Sequence, residues 1–124
     1  MNDLTALGAV EQARCVRDRE VSVRELVDAC IARVECLNDA VNAVCTTTYD
    51  AARAAADRAQ AALDAGGDVG PLHGVPFLVK DLLSTAGVRT TYGSRVYADL
   101  VPDEDDVAVE RLLNAGAIMI GKTN

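Results

Sequence analysis

The sequence predicts an α/β fold with a largely parallel sheet, and three features lead there. Residues 75–79, Val-Pro-Phe-Leu-Val, form a short apolar run bounded by Gly/Pro punctuation, which reads as a strand buried on both faces. Helical periodicity dominates the first half of the chain, where apolar residues recur at three-four spacing. A helix, a glycine and a second apolar run then follow one another over residues 107–120. Counted with the earlier strand, that is half of a β-α-β unit.

In chain order, residues 5–18 predict a first helix, weakened by Gly8. The second helix, residues 22–38, is better signed. Ser22 and Glu25 fit a capping box, in which each side chain satisfies an orphan backbone donor. Val21 and Leu26 fit a hydrophobic staple around that cap. Val23, Leu26, Val27, Cys30, Ile31, Val34 and Leu37 then make one core-facing stripe, with Arg24, Asp28, Arg33 and Glu35 on the other side. Residues 41–48 are rich in Val and Thr and predict a short extended segment. Thr48 is placed to cap a third helix over residues 49–65, whose Ala52, Ala55, Ala59 and Ala62 suit close packing. Gly66 and Gly67 stop it, and residues 66–74 form the most loop-like stretch. The chain thus divides into a helical part, residues 1–66, and a strand-bearing part, residues 70–124, of one incomplete domain.

The strand at 75–79 ends in Lys80. Pro76 is tolerable there because it sits at the strand's first positions, where a ladder donor can be spared. Open α/β sheets bind ligands at the carboxyl ends of their strands, so Lys80 is a candidate functional residue. An ammonium partly stripped of water there loses some preference for its charged form, and a neutral lysine is a base. The plainer reading is that Lys80 reaches solvent or pairs with Asp81. Beyond it lies a polar stretch containing Thr90-Thr91-Tyr92-Gly93-Ser94. Pro102 and four acids, residues 103–106, introduce a fourth helix running to about Asn114, where acids complement the positive helix end. Gly116 breaks it, and residues 117–120 predict the second strand.

Composition excludes several function classes. The net charge of −7 and the lack of a basic run argue against nucleic acid or an anionic membrane as partner. No segment approaches the roughly 20 apolar residues of a membrane span, and the amino terminus lacks the basic and apolar regions of a signal peptide. Cys15, Cys30, Cys36 and Cys45 form no Cys-x-x-Cys pair, and His73 is the only histidine, so the sequence implies no zinc and a reduced, cytoplasmic protein. The acids at 103–106 lack the spacing and glycine turn of a calcium loop.

One literal motif match is rejected. Gly116, Gly121, Lys122 and Thr123 satisfy the phosphate-loop pattern, but Ala-Ile-Met-Ile between the glycines wants to be strand rather than a loop of curled amides. His73 lies in a turn with no second ligand nearby and reads as structural. Ser84 and Ser94 lack the strand-turn-helix setting that exposes a nucleophile.

Residues 70–81 (Gly-Pro-Leu-His-Gly-Val-Pro-Phe-Leu-Val-Lys-Asp), 90–94 (Thr-Thr-Tyr-Gly-Ser) and 115–124 (Ala-Gly-Ala-Ile-Met-Ile-Gly-Lys-Thr-Asn) together resemble the amidase signature family, in order and in spacing. The resemblance covers nearly the whole chain. It implies a mixed, twisted β-sheet flanked by α-helices, of which the amino-terminal part is present. It also implies a hydrolase of carboxylic amides working through a Ser, cis-Ser, Lys triad without cofactor or metal. Lys80 falls on the catalytic lysine, and Lys122 on a position that looks structural. The bridging serine, the nucleophile and the oxyanion-hole segment of such enzymes would lie beyond Asn124. The expectation is therefore an amino-terminal fragment, inactive by itself and prone to aggregate through open strand edges. The implied partner is a small-molecule amide, with a homodimer left open for a full-length form. Two alternatives stand beside the amidase: the glutamine-hydrolysing component of an aminoacyl-tRNA amidotransferase, and a non-catalytic truncated homologue. Thr-Thr-Tyr-Gly-Ser with the following Arg-Val-Tyr-Ala leans towards a stand-alone amidase.

Overall fold

Two long helices, Val23–Val41 and Tyr49–Asp64, pack against a three-stranded sheet in the computed structural model, which describes residues 3–124. The elements are α1 (Ala9–Arg17), α2 (Val23–Val41), β1 (Val44–Thr47), α3 (Tyr49–Asp64), β2 (Pro76–Lys80), α4 (Val107–Asn114) and β3 (Ile118–Thr123). Short 3₁₀ turns occupy Leu4–Ala6 and Arg95–Tyr97. Among the described residues no helix is long and apolar enough to cross a membrane.

Local chemistry sets the helix ends. The expected first helix is two pieces: the turn Leu4–Ala6, then α1 after Gly8, which stands outside the helix. Gly8 donates its N–H to Glu11 Oε2 (3.1 Å), so the residue that weakened the prediction marks the start. The second helix begins as expected, with Ser22 Oγ accepting from Glu25 N (3.2 Å) and Ser22 N donating to Glu25 Oε2 (2.9 Å). It runs past Asn38 to Val41 and stops at Asn42, whose φ of 52° is left-handed. Asn38 stays helical while its side chain pins the following turn, accepting from Val44 N (2.8 Å) and donating to Val44 O (3.0 Å). Thr48 does not cap α3 through its side chain; its hydroxyl is spent across the sheet on Met119 O (3.1 Å).

Helix α2 is the plate against which the core forms. Val23, Leu26, Val27 and Ile31 are buried, Cys30 and Val34 are half-buried, and Leu37 lies at the exposed end of the stripe. They meet Ala52, Ala56 and Leu63 of α3, Val16 of α1, and Ile118 and Ile120 of β3. The alanine face of α3 is rotated slightly from the expected one. Ala52 and Ala56 are buried and Ala62 is exposed, because Leu63 takes the inward position in the last turn.

The strand order is β1-β3-β2, with β2 parallel and β1 antiparallel to β3. The sheet is therefore mixed, and its parallel pair is the one expected from the β-α-β pattern. The helical and strand-bearing parts are joined in this one sheet, since β1 comes from the first and β2 and β3 from the second. The β2–β3 register slips between Phe77 and Leu78, which face Met119 and Gly121. Ile120 is thus the extra residue of a bulge, and side-chain alternation along β3 is shifted by one beyond it. Gly121 answers a close approach at that point, because a Cβ there would lie 2.5 Å from Thr46 O.

Candidate active site

Lys80 closes β2, directly before the chain turns into the loop 81–91. The expectation of a strand buried on both faces is corrected here. Val79 is buried, but Pro76, Phe77 and Leu78 are half-buried and Lys80 is exposed. The reason is position: β2 is an edge strand whose only neighbour among the described residues is β3. The side chain of Lys80 stands in the open rather than partly stripped of water. Nor does Asp81 turn outward to it, because Asp81 is 5% exposed and faces inward.

Asp81 organises the loop instead. Its Oδ2 accepts from Thr91 N (3.1 Å) and from the Thr91 hydroxyl, and its backbone ties the loop to the sheet. Asp81 N donates to Thr123 O (2.7 Å) and Tyr92 N to Asp81 O (2.9 Å). Tyr92 adopts a left-handed φ of 51°, uncommon for a bulky residue, and its hydroxyl meets Ser84 Oγ at 2.6 Å. The Thr90–Ser94 motif is thereby folded back beside the exit of β2. Ser84 is engaged with Tyr92, and Ser94 caps the turn Arg95–Tyr97.

The buried lysine of the molecule is Lys122. It faces Val79 across the parallel pair, so it lies on the sheet face opposite to Lys80. Its side chain has no solvent exposure. Nζ donates to Leu83 O (2.5 Å), Thr85 Oγ1 (2.7 Å) and Thr90 Oγ1 (3.0 Å). Both hydroxyls donate their own protons to carbonyls, Thr85 to Leu83 O (3.3 Å) and Thr90 to Val88 O (3.0 Å), leaving lone pairs for the amine. Three acceptors thus meet the three donors of an ammonium. Burial pulls the Lys122 amine below the ordinary lysine range, opposed in part by the charges of Asp81, Cys45 and Asp105.

That shift has a sign in stability. Between the lowered folded-state value and the ordinary value of the unfolded chain, the folded protein binds fewer protons than the unfolded one. Stability from this group therefore rises with pH across that alkaline window, and the cost of keeping the charged form buried is felt in full below it. Urea unfolding of the native gene product and its Lys122→Met variant at stepped alkaline pH is the check. The wild-type stability should gain on the variant as pH rises; a difference flat in pH contradicts the assignment.

The remaining candidates have local roles. Residues 118–123 are strand, so the Gly-Lys-Thr pattern forms no phosphate loop. His73 Nε2 meets Ala59 O at 2.9 Å, which ties the 66–74 loop to α3. In the acidic run, Asp105 Oδ1 accepts from Ala86 N (2.7 Å) and Asp106 Oδ1 from Ala108 N (2.9 Å), the latter capping α4. All four cysteines are free thiols. The cage around Lys122 is what sequence reasoning missed. The available signal was Gly121 inside an apolar run, which marks a bulge and hence a flip of face for the next residue.

Comparison with known proteins supplies the context for this arrangement. The family model described as Amidase matches residues 25–124. The A-type component of glutamyl-tRNA(Gln) amidotransferase from Synechococcus sp. (strain CC9311) is 47% identical over 105 residues, covering 85% of this chain and 22% of that protein. Among solved structures, a bacterial aryl acylamidase of the amidase signature family superposes with a TM-score of 0.89 at 29% identity, covering 95% of this chain and 25% of its own. The peptide amidase from Stenotrophomonas maltophilia gives 0.87 at 30% identity, covering 96% and 25%. The chain spans about a quarter of the length of the relatives it matches.

Proposed function

This chain belongs to the amidase signature family, and on that premise we propose that it supplies Lys80 as the general base of an amide hydrolase. The observation that carries the reading is the place of Lys80. It ends β2 with its side chain exposed, at the strand end where α/β sheets hold ligands, and within the motif at 70–81. In the proposed chemistry the lysine amine takes a proton, through a bridging cis-serine, from the serine that attacks the amide carbonyl. It then returns a proton to the nitrogen as the C–N bond breaks, leaving an acyl-serine that water hydrolyses. The open edge of β2 leaves room for the serine-bearing segment beside Lys80. The reading includes a small-molecule amide as substrate, no cofactor or metal, a cytoplasmic setting in keeping with four free thiols, and a homodimer as one assembly to test.

A second reading has a specific observation behind it. The curated relatives from Synechococcus (47% identical) and from Anaplasma marginale (strain Florida; 41% identical) are A-type components of glutamyl-tRNA(Gln) amidotransferases. Under that reading the amide is glutamine and the protein works with partner proteins. The test is ammonia release by the native gene product from a panel of simple carboxamides and from glutamine. Turnover of a simple amide without partners supports the first reading. Turnover of glutamine alone, dependent on co-purifying partners, supports the second. Failure on every amide and on glutamine overturns both and leaves a non-catalytic homologue.

A further inference from the structure

The sequence holds only two lysines against ten arginines, and both lysines lie at the carboxyl ends of adjacent parallel strands. From this geometry we infer that Lys122 is a positioning residue for Lys80: its amine clamps the loop 81–91 to β3 and so fixes how the chain leaves β2 at Lys80. The inference rests on the reading of Lys80 as the base.

The clamp spans the right segment. Leu83 lies three residues after Lys80, and its N–H closes a turn onto Lys80 O (3.0 Å) while its carbonyl accepts from Lys122 Nζ. Thr85 and Thr90 extend the same grip along the loop, to the residue before Thr91, which holds Asp81. One amine therefore gathers three points of a single loop onto the sheet face opposite Lys80, and Arg89 adds a contact to Thr46 of β1 on that same face. A methylene stem alone would fill the volume but would make none of these bonds. Lysine suits the cage where arginine would not, because a compact ammonium with three rotatable donors matches three converging oxygens and a planar fork does not. Displacing a catalytic group by about 1 Å can cost about 10²-fold in rate, so a clamp one strand away suffices to matter.

The experiment uses the native gene product and a simple amide substrate. Lys122→Met keeps the stem and removes the donors. It should lower kcat by about 10²-fold with KM within about twofold, at a temperature where its circular dichroism matches that of the wild type. Thr85→Val with Thr90→Val empties the cage from the other side and should shift the same two parameters in the same way. If Lys122→Met does not fold, Lys122→Ala with added propylammonium, which together rebuild the four-carbon stem and its ammonium, serves instead, and restored kcat supports the clamp. Unchanged kcat in Lys122→Met, or a folded Lys122→Ala that propylammonium leaves inactive, overturns it. Lys80→Ala separates the two ideas: an active Lys80→Ala enzyme removes the base reading, whereas an inactive one beside a fully active Lys122→Met removes the clamp alone.

Discussion

Replacing Lys80 by alanine in the native gene product is expected to lower amide turnover by about 10²–10⁴-fold, the usual worth of a positioned general base. The same change should leave the fold intact, because Lys80 lies outside the buried cluster that holds the helices to the sheet. The loss is then chemical rather than conformational. Lys80→Arg should be as poor as Lys80→Ala, since a guanidinium does not give up its proton in the working range. Ammonia release under saturating amide, with thermal melts alongside, is the measurement. Turnover near the wild-type rate in either variant rules out Lys80 as the base.

Leu26→Ala is expected to cost about 2–5 kcal/mol, the range for a fully buried leucine emptied to a cavity. Leu26 has no solvent exposure and belongs to the cluster of Val16, Val27, Ile31, Ala56, Ile118 and Ile120 that joins α2 to β3. Few neighbours can collapse into the space, because the alanines of α3 already sit close and the sheet behind is fixed by backbone pairing. Urea unfolding should show the midpoint falling at unchanged slope. Val96→Ala is the control: Val96 is 84% exposed and should move stability by less than about 0.5 kcal/mol. A Leu26→Ala cost below about 1 kcal/mol contradicts the placement of the core.

The sequence made some of this architecture legible and hid the rest for physical reasons. Short-range signals were readable. The Ser22–Glu25 box, the α2 stripe, the acids before α4 and the apolar runs of β2 and β3 all involve residues within a few positions of one another. Non-local choices were not. That β1 pairs antiparallel with β3, that Thr48 bonds across the sheet rather than capping, and that β2 is an edge strand depend on residues far apart in the chain. The bulge at Ile120 has the same character, and it sets the sheet face on which Lys122 is buried. Reading Lys80 as desolvated followed correctly from a strand covered on both faces, which β2 is not among the described residues. The family pattern reached the motif position of Lys80 without that premise, and it marked Lys122 as structural without showing what the amine holds.

The most direct test of Lys80 as base to an activated serine is covalent capture by a fluorophosphonate, which reacts with serines whose proton is being withdrawn. The account predicts one adduct on the native gene product, at a serine other than Ser22, Ser84 and Ser94, formed far more slowly in Lys80→Ala. No adduct, or an adduct formed equally fast without Lys80, would contradict it.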